Sequence, residues 1–138
     1  MPIGRRAARV GPRPGVDGRT GRYCARVAQA DYTITGDLDR FVAHLDHAIE
    51  QGSATAMVEA KAERRLGDAR MAVRVYERFS MVGGNRLSLS VSALAVGDRI
   101  EVVVVTSGGS EGVVMKLNTF GEKAFLAKAD EAVRAFRG

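Results

Sequence analysis

From Ala30 onward, apolar and polar residues follow one another with a definite period, and each change of period marks an element boundary. Residues 31–35, DYTIT, alternate as a short strand. Gly36 breaks the alternation, and Asp37 is placed to cap a helix by accepting from free amides of the first turn. Leu38, Phe41, Val42, Leu45, Ala48 and Ile49 then share one helical face, and Gly52 is expected to end that helix in the left-handed conformation. Across 53–65, Ala54, Ala56, Val58, Ala60 and Ala62 alternate with larger, mostly polar residues. The Ala, Glu and Lys content there favours helix, while the alternation predicts a strand whose small inner residues let a helix lie close.

Three further strands are plainer. Met71, Val73, Val75 and Phe79 share one face of the first; Leu87, Leu89, Val91 and Ala93 one face of the second; Ile100, Val102 and Val104 one face of the third. The turns at 66–68, 81–85 and 96–98 are rich in residues that tolerate positive φ. A two-residue Gly97-Asp98 loop sets Val91 opposite Val104 and Ala93 opposite Val102, so both apolar sets stay on one face. A three-residue loop at 82–84 predicts Arg78 opposite Ser88 and Glu77 opposite Leu89; beyond these, Ser88 faces Ser107 and Leu89 faces Thr106. VVMKL at 113–117 reads as a last short strand. TFGE at 119–122 has capping-box spacing, followed by a terminal helix with Phe125, Ala129, Ala132, Val133 and Phe136 as its buried stripe. The order is β-α-β-β-β-β-β-α. It predicts an α+β fold, an antiparallel sheet of five to six strands with two helices packed on one face and the other face bare.

Composition adjusts this picture in two places. Hydrophobic residues make up 46% of the chain but aromatics only 6%, with no Trp, so the core must rest on Val, Leu, Ala, Met and five Phe. No apolar run approaches the roughly 18 residues of a membrane span, and the lone Cys24, which cannot form an internal disulfide, fits a reducing, cytoplasmic compartment. The net charge of +5 is unevenly placed. Residues 1–28 hold seven arginines and one acid, Asp17, leaving 14 basic and 15 acidic groups in 29–138. A neutral body is a poor phosphate reader.

The segment 1–28 also holds all three prolines and no apolar periodicity, so it reads as disordered beside a single α+β domain at 29–138. Two alternatives stay open for it. It is either a basic arm for nucleic acid or an anionic surface, or a leader ahead of the true start, with Val10, Val16 and Val27 as candidate initiation sites. It lacks the apolar region of a secretory signal.

VRVYERFS at 73–80, GGNRLSLS at 83–90, TSGGS at 106–110 and KLNTFGE at 116–122 resemble a family of small bacterial α+β proteins known as a domain of unknown function. The resemblance covers about residues 30–137 and brings no catalytic residues. The element order is also similar to TATA-binding-protein-like and helix-grip topologies, which imply no activity by themselves.

The candidate chemistry is sparse. TSGGSEG at 106–112 lacks the Lys-Ser/Thr ending of a phosphate loop, and a strand is expected after it, so it reads as a bend. Gly83-Gly84 and Gly108-Gly109 nonetheless emerge at one end of the sheet, beside Arg78, Ser88 and Ser107 on the helix-free face. That set can hold a small anion through charge-assisted bonds and backbone amides; the plainer reading is a solvated arginine beside strand serines. Glu77, on the core-facing side, is a candidate acid or base, but no nucleophile–base pair accompanies it and no catalytic set is assigned. His44 and His47 would need two further ligands to hold a metal, so they are expected to be solvated, and no metal or cofactor is expected.

On the helix-free face, Arg70, Arg74 and Arg78 are offset by Glu59, Glu63 and Glu101, which argues against a DNA saddle. Tyr76, Leu94, Val103 and Val105 there form an apolar patch suited to a homodimer. The sequence therefore points to a non-enzymatic binding or interaction module with a small anionic or amphipathic ligand. The alternatives are an enzyme using Glu77 and Arg78, or nucleic-acid binding through the basic arm.

Overall fold

The computed structural model describes residues 28–53, 55–79, 86–108 and 115–138, with only the backbone described for Ala28 and 115–122. Expectations for residues 1–27, for Gly83 and Gly84, and for Gly109 lie outside the described residues. Among the described residues, five strands and two helices run in the order β1 (Ala28–Thr35), α1 (Leu38–Gly52), β2 (Met57–Leu66), β3 (Ala69–Phe79), β4 (Arg86–Val96), β5 (Arg99–Gly108) and α2 (Met115–Ala135). The sheet order is β1-β5-β4-β3-β2, antiparallel at every pairing.

Each element follows from local chemistry. The Asp37 side chain accepts from the Arg40 amide at 2.9 Å and opens α1 as a cap. Leu38, Phe41, Val42, Leu45 and Ile49 form the buried stripe of α1, as the spacing predicts. Gly52 is not left-handed; it is the last helical residue, and Ser53 turns the chain into extended backbone at φ −150°. The two-residue turns at Gly67-Asp68 and Gly97-Asp98 carry positive φ on their glycines, 56° and 59°, as tight hairpins require.

The β4–β5 register is the predicted one: Val91 faces Val104, Ala93 faces Val102, Ser88 faces Ser107 and Leu89 faces Thr106. Leu87, Leu89, Val91, Ala93 and Ala95 of β4 and Ile100, Val102 and Val104 of β5 form the floor of the core. The helices close it from above. Phe125, Ala129, Ala132 and Val133 of α2 are buried, and the Phe41 and Phe136 rings meet edge to face at 5.3 Å.

Three expectations fail. The segment 113–117 is not a strand where it is described: Met115, Lys116 and Leu117 are already helical, and the Thr119–Glu122 spacing falls inside α2 rather than at its head. In β2 a bulge between Val58 and Ala60 resets the alternation, so Ala60 and Ala62 lie exposed opposite Val75 and Val73, away from the helices. In β3 the buried parity is Ala72, Arg74 and Tyr76, not Met71, Val73 and Val75.

Candidate functional site

The last correction rearranges the predicted site. Arg78 pairs with Leu87 and Glu77 with Ser88, one residue away from the expected register. Side chains of a strand alternate faces, so this single step exchanges the two residues. Glu77 belongs to the open face with Ser88 and Ser107, and forms an ion pair with Arg86 at 3.2 Å. Arg78 belongs to the helix side, half-buried, with its guanidinium 4.8 Å from the centroid of Phe125. Burial lowers its pKa below the ordinary arginine value.

Gly108 is the last residue of β5, where a Cβ would meet the Leu87 side chain at 2.7 Å and the Arg86 carbonyl oxygen at 3.0 Å. The predicted anion set is thus divided: Ser88, Ser107 and Glu77 on one face, Arg78 on the other. A depression of about 630 Å³ lies at the opposite end of the sheet from Arg78, lined by Thr35, Gly36, Asp37, Gly97, Asp98 and Gly138. Its two aspartates suit it poorly to an anion.

On the helix side the sequence reading missed two polar clusters. Tyr76, fully buried, donates its hydroxyl to Asp46 of α1 at 2.5 Å. Asp46 also accepts from Lys61 at 3.3 Å and Arg74 at 3.4 Å, and Arg74 reaches Glu63 at 3.2 Å. Arg74 is itself buried, so these carboxylates compensate a charge taken out of water. Tyr32 of β1 donates to Asp130 of α2 at 2.8 Å, with Arg134 on the same carboxylate at 2.9 Å.

Burial first, then the hydrogen bond to and negative charge of the aspartate, hold both phenols above their ordinary pKa. Neither cluster contains a nucleophile beside a base. Each fixes a helix to the sheet. His44 joins the two helices, donating from Nε2 to the Ala132 carbonyl at 2.8 Å and packing on Phe136 at 5.6 Å between centroids, so it is held rather than solvated. His47 is exposed. Among the described residues, no three His, Cys, Asp or Glu side chains gather as a metal site.

The open face is more apolar than the sequence suggests. Its rows, read across the sheet, are Thr33, Glu101, Leu94, Met71 and Arg64; then Asp31, Val103, Ser92, Val73 and Ala62; then Gln29, Val105, Ser90, Val75 and Ala60, so that the β1 edge is polar. Two valine ridges on β3 and β5 flank a trough of serines on β4. Tyr76 and Arg74 are absent from it, because both are buried beneath α1. Among the described residues, the exposed large apolar side chains (Met57, Leu66, Met71, Phe79, Leu94, Val96 and Val103) all fall on this face by register.

A small sheet layered on two helices, with a bare apolar face and no assembled catalytic set among the described residues, defines an α+β domain of the two-layer class. The model of a family of unknown function, DUF6054, matches residues 27–137, and the chain belongs to that family. No curated protein matches it. Among solved structures it is similar to TTHA0849 from Thermus thermophilus, at 14% identity over 79% of this chain and 97% of that one. The TM-score is 0.29, too low to carry a functional argument. No helix among the described residues is long and apolar enough to cross a membrane.

Proposed function

We propose that the protein is a non-enzymatic interaction module whose working surface is the helix-free sheet face, and that this face takes a second copy of the chain. The observation that carries the reading is that, among the described residues, the exposed large apolar side chains are confined to that one face, from Val103 at 38% to Leu66 at 86% exposed. Monomeric surfaces scatter such residues; a contiguous patch marks an interface. Four strand spacings of about 4.8 Å and four two-residue steps of about 6.8 Å give a face on the order of 500 Å² per copy. Two such faces total about 1,000 Å², the lower bound for a specific interface. Valine ridges flanking small serines also give a surface that another sheet can follow closely.

Sedimentation of the full chain at micromolar concentration tests this directly. The wild type is expected to dimerise, and Val73→Lys and Val103→Lys to weaken that association while leaving the fold intact. A wild type that stays monomeric up to tens of micromolar, or an association indifferent to both lysines, would sink the reading.

A second reading has one observation in its favour: the half-buried guanidinium of Arg78 over Phe125, a cation in a desolvated setting that suits a small anionic or amphipathic ligand. A ligand there raises the melting temperature in a metabolite screen, and Arg78→Ala removes the shift. The enzymatic alternative gains nothing from the structure, since Glu77 and Arg78, as neighbours on β3, still point to opposite faces.

A further inference from the structure

We infer that β2 is a pairing edge as well as a boundary, joining antiparallel to β2 of a second copy about a two-fold axis at Ala62. This surface is distinct from the open face. Strand β2 is the last in the sheet order, and all of it except Val58 is exposed. The two-residue turn makes Leu66 and Ala69 a hydrogen-bonded pair. Alternation then turns the amides and carbonyls of Leu66, Arg64 and Ala62 inward to β3, and those of Arg65, Glu63 and Lys61 outward. A partner strand must therefore be read by the odd-numbered residues.

Two-fold symmetry and this parity leave few registers, and charge selects among them. An axis at residue 61 sets Lys61 against itself; one at 63 sets Glu63 against itself and Lys61 against the partner's Arg65. An axis at 64 sets Glu63 against the partner's Arg65 but opposes two copies of Arg64 at the closer, non-hydrogen-bonded position, and one at 60 sets Glu59 against Lys61 but centres the ladder on the bulge between Val58 and Ala60. With the axis at Ala62, Lys61 lies opposite the partner's Glu63 in a hydrogen-bonded row, and Glu63 opposite the partner's Lys61. Opposite charges facing across a ladder stabilise it and like charges destabilise it, so this register, which opposes no like charges and keeps its centre clear of the bulge, is the favoured one.

The side chains are already ordered for the arrangement. Lys61 is held by Asp46 and Glu63 by Arg74, and Arg74 also bonds Asp46, all on the helix side of the sheet. Adding the two cross-axis contacts closes these pairs into a ring of alternating charge running twice through Asp46, Lys61, Glu63 and Arg74. Charged edge strands ordinarily repel other strands, and on β2 like charges or the bulge penalise each alternative register.

The test is a charge exchange read by sedimentation of the full chain. Lys61→Glu and Glu63→Lys are each expected to lose the edge contact, because each puts like charges opposite. An equimolar mixture of the two regains it as a heterodimer, and the K61E/E63K double variant regains it alone; circular dichroism verifies that all are folded. Face-to-face stacking responds to Val73→Lys and Val103→Lys instead, so the two associations fail separately. A position-specific readout is Ala62→Cys in a Cys24→Ser background. On the axis it forms an intermolecular disulfide, whereas Ala60→Cys does not. Stacked sheets hold backbones about 10 Å apart, beyond disulfide reach. No cross-link at residue 62, equal cross-linking at 60 and 62, or a mixture that stays dissociated would each overturn the inference.

Discussion

Replacing Tyr76 by Phe removes one oxygen and tests how the helix layer is held. The hydroxyl donates to Asp46 at 2.5 Å from a fully buried ring. A hydrogen bond to a charged acceptor contributes about 1.5–3 kcal/mol net. Asp46 keeps Arg74 and Lys61 after the change and its side chain is 17% exposed, so little of it is left unsatisfied. The loss therefore belongs at the low end, about 1.5 kcal/mol. With a urea slope of about 1.5 kcal/mol/M for a small domain, the unfolding midpoint falls by about 1 M.

The same variant has a signature in alkali. Tyr76 keeps its proton in the folded state above its ordinary pKa, while the unfolded chain loses it. Below about pH 10 this contribution is constant; above it the unfolded state binds fewer protons, so stability falls by about 1.4 kcal/mol per pH unit for each such tyrosine. Wild type and variant should thus converge as pH rises past 10. An unchanged midpoint, or a difference that stays constant into alkali, would refute the assignment of Tyr76–Asp46 as an anchor.

Other consequences are measurable by the same unfolding assay. Gly36→Ala is expected to cost on the order of 1–3 kcal/mol, because φ is +152° there and a Cβ would meet the Phe136 ring at 2.7 Å and the Gly138 Cα at 2.8 Å. Leu89→Ala, at a fully buried position in the floor of the core, should cost about 2–5 kcal/mol. Tyr32→Phe should cost less than Tyr76→Phe, since Asp130 is 33% exposed and keeps Arg134.

The legible parts of the fold are those where two local signals agree. Cap and stripe both define α1, and turn length and apolar parity both define the β4–β5 hairpin. Strand β3 offers two usable faces, and hydrophobicity selects the wrong one. Met71, Val73 and Val75 are apolar yet open, while Arg74 and Tyr76 are polar yet buried, because Asp46 and Glu63 supply partners that no reading of β3 alone contains. One signal was available: Asp46 directly follows Leu45 on the inner flank of α1, and a carboxylate there needs a donor on the sheet. The register of the β3–β4 connection was not readable from loop length, and the separation of Arg78 from Ser88 and Ser107 follows from that alone. The valines at 113 and 114 suggested a strand, whereas the helix is already under way at Met115, and the positions three and four before Phe125 are Glu122 and Gly121, which give no apolar stripe to announce it.

The separate tyrosine latches have a consequence for motion. One fastens α1 above β3 and the other fastens α2 above β1, while His44 and the Phe41–Phe136 contact join the helices to each other. Either helix can therefore lift with its neighbour's tether intact, but only by breaking the shared contacts, so the layer should open in two coupled steps, the second costing less in amide-exchange free energy than it would alone.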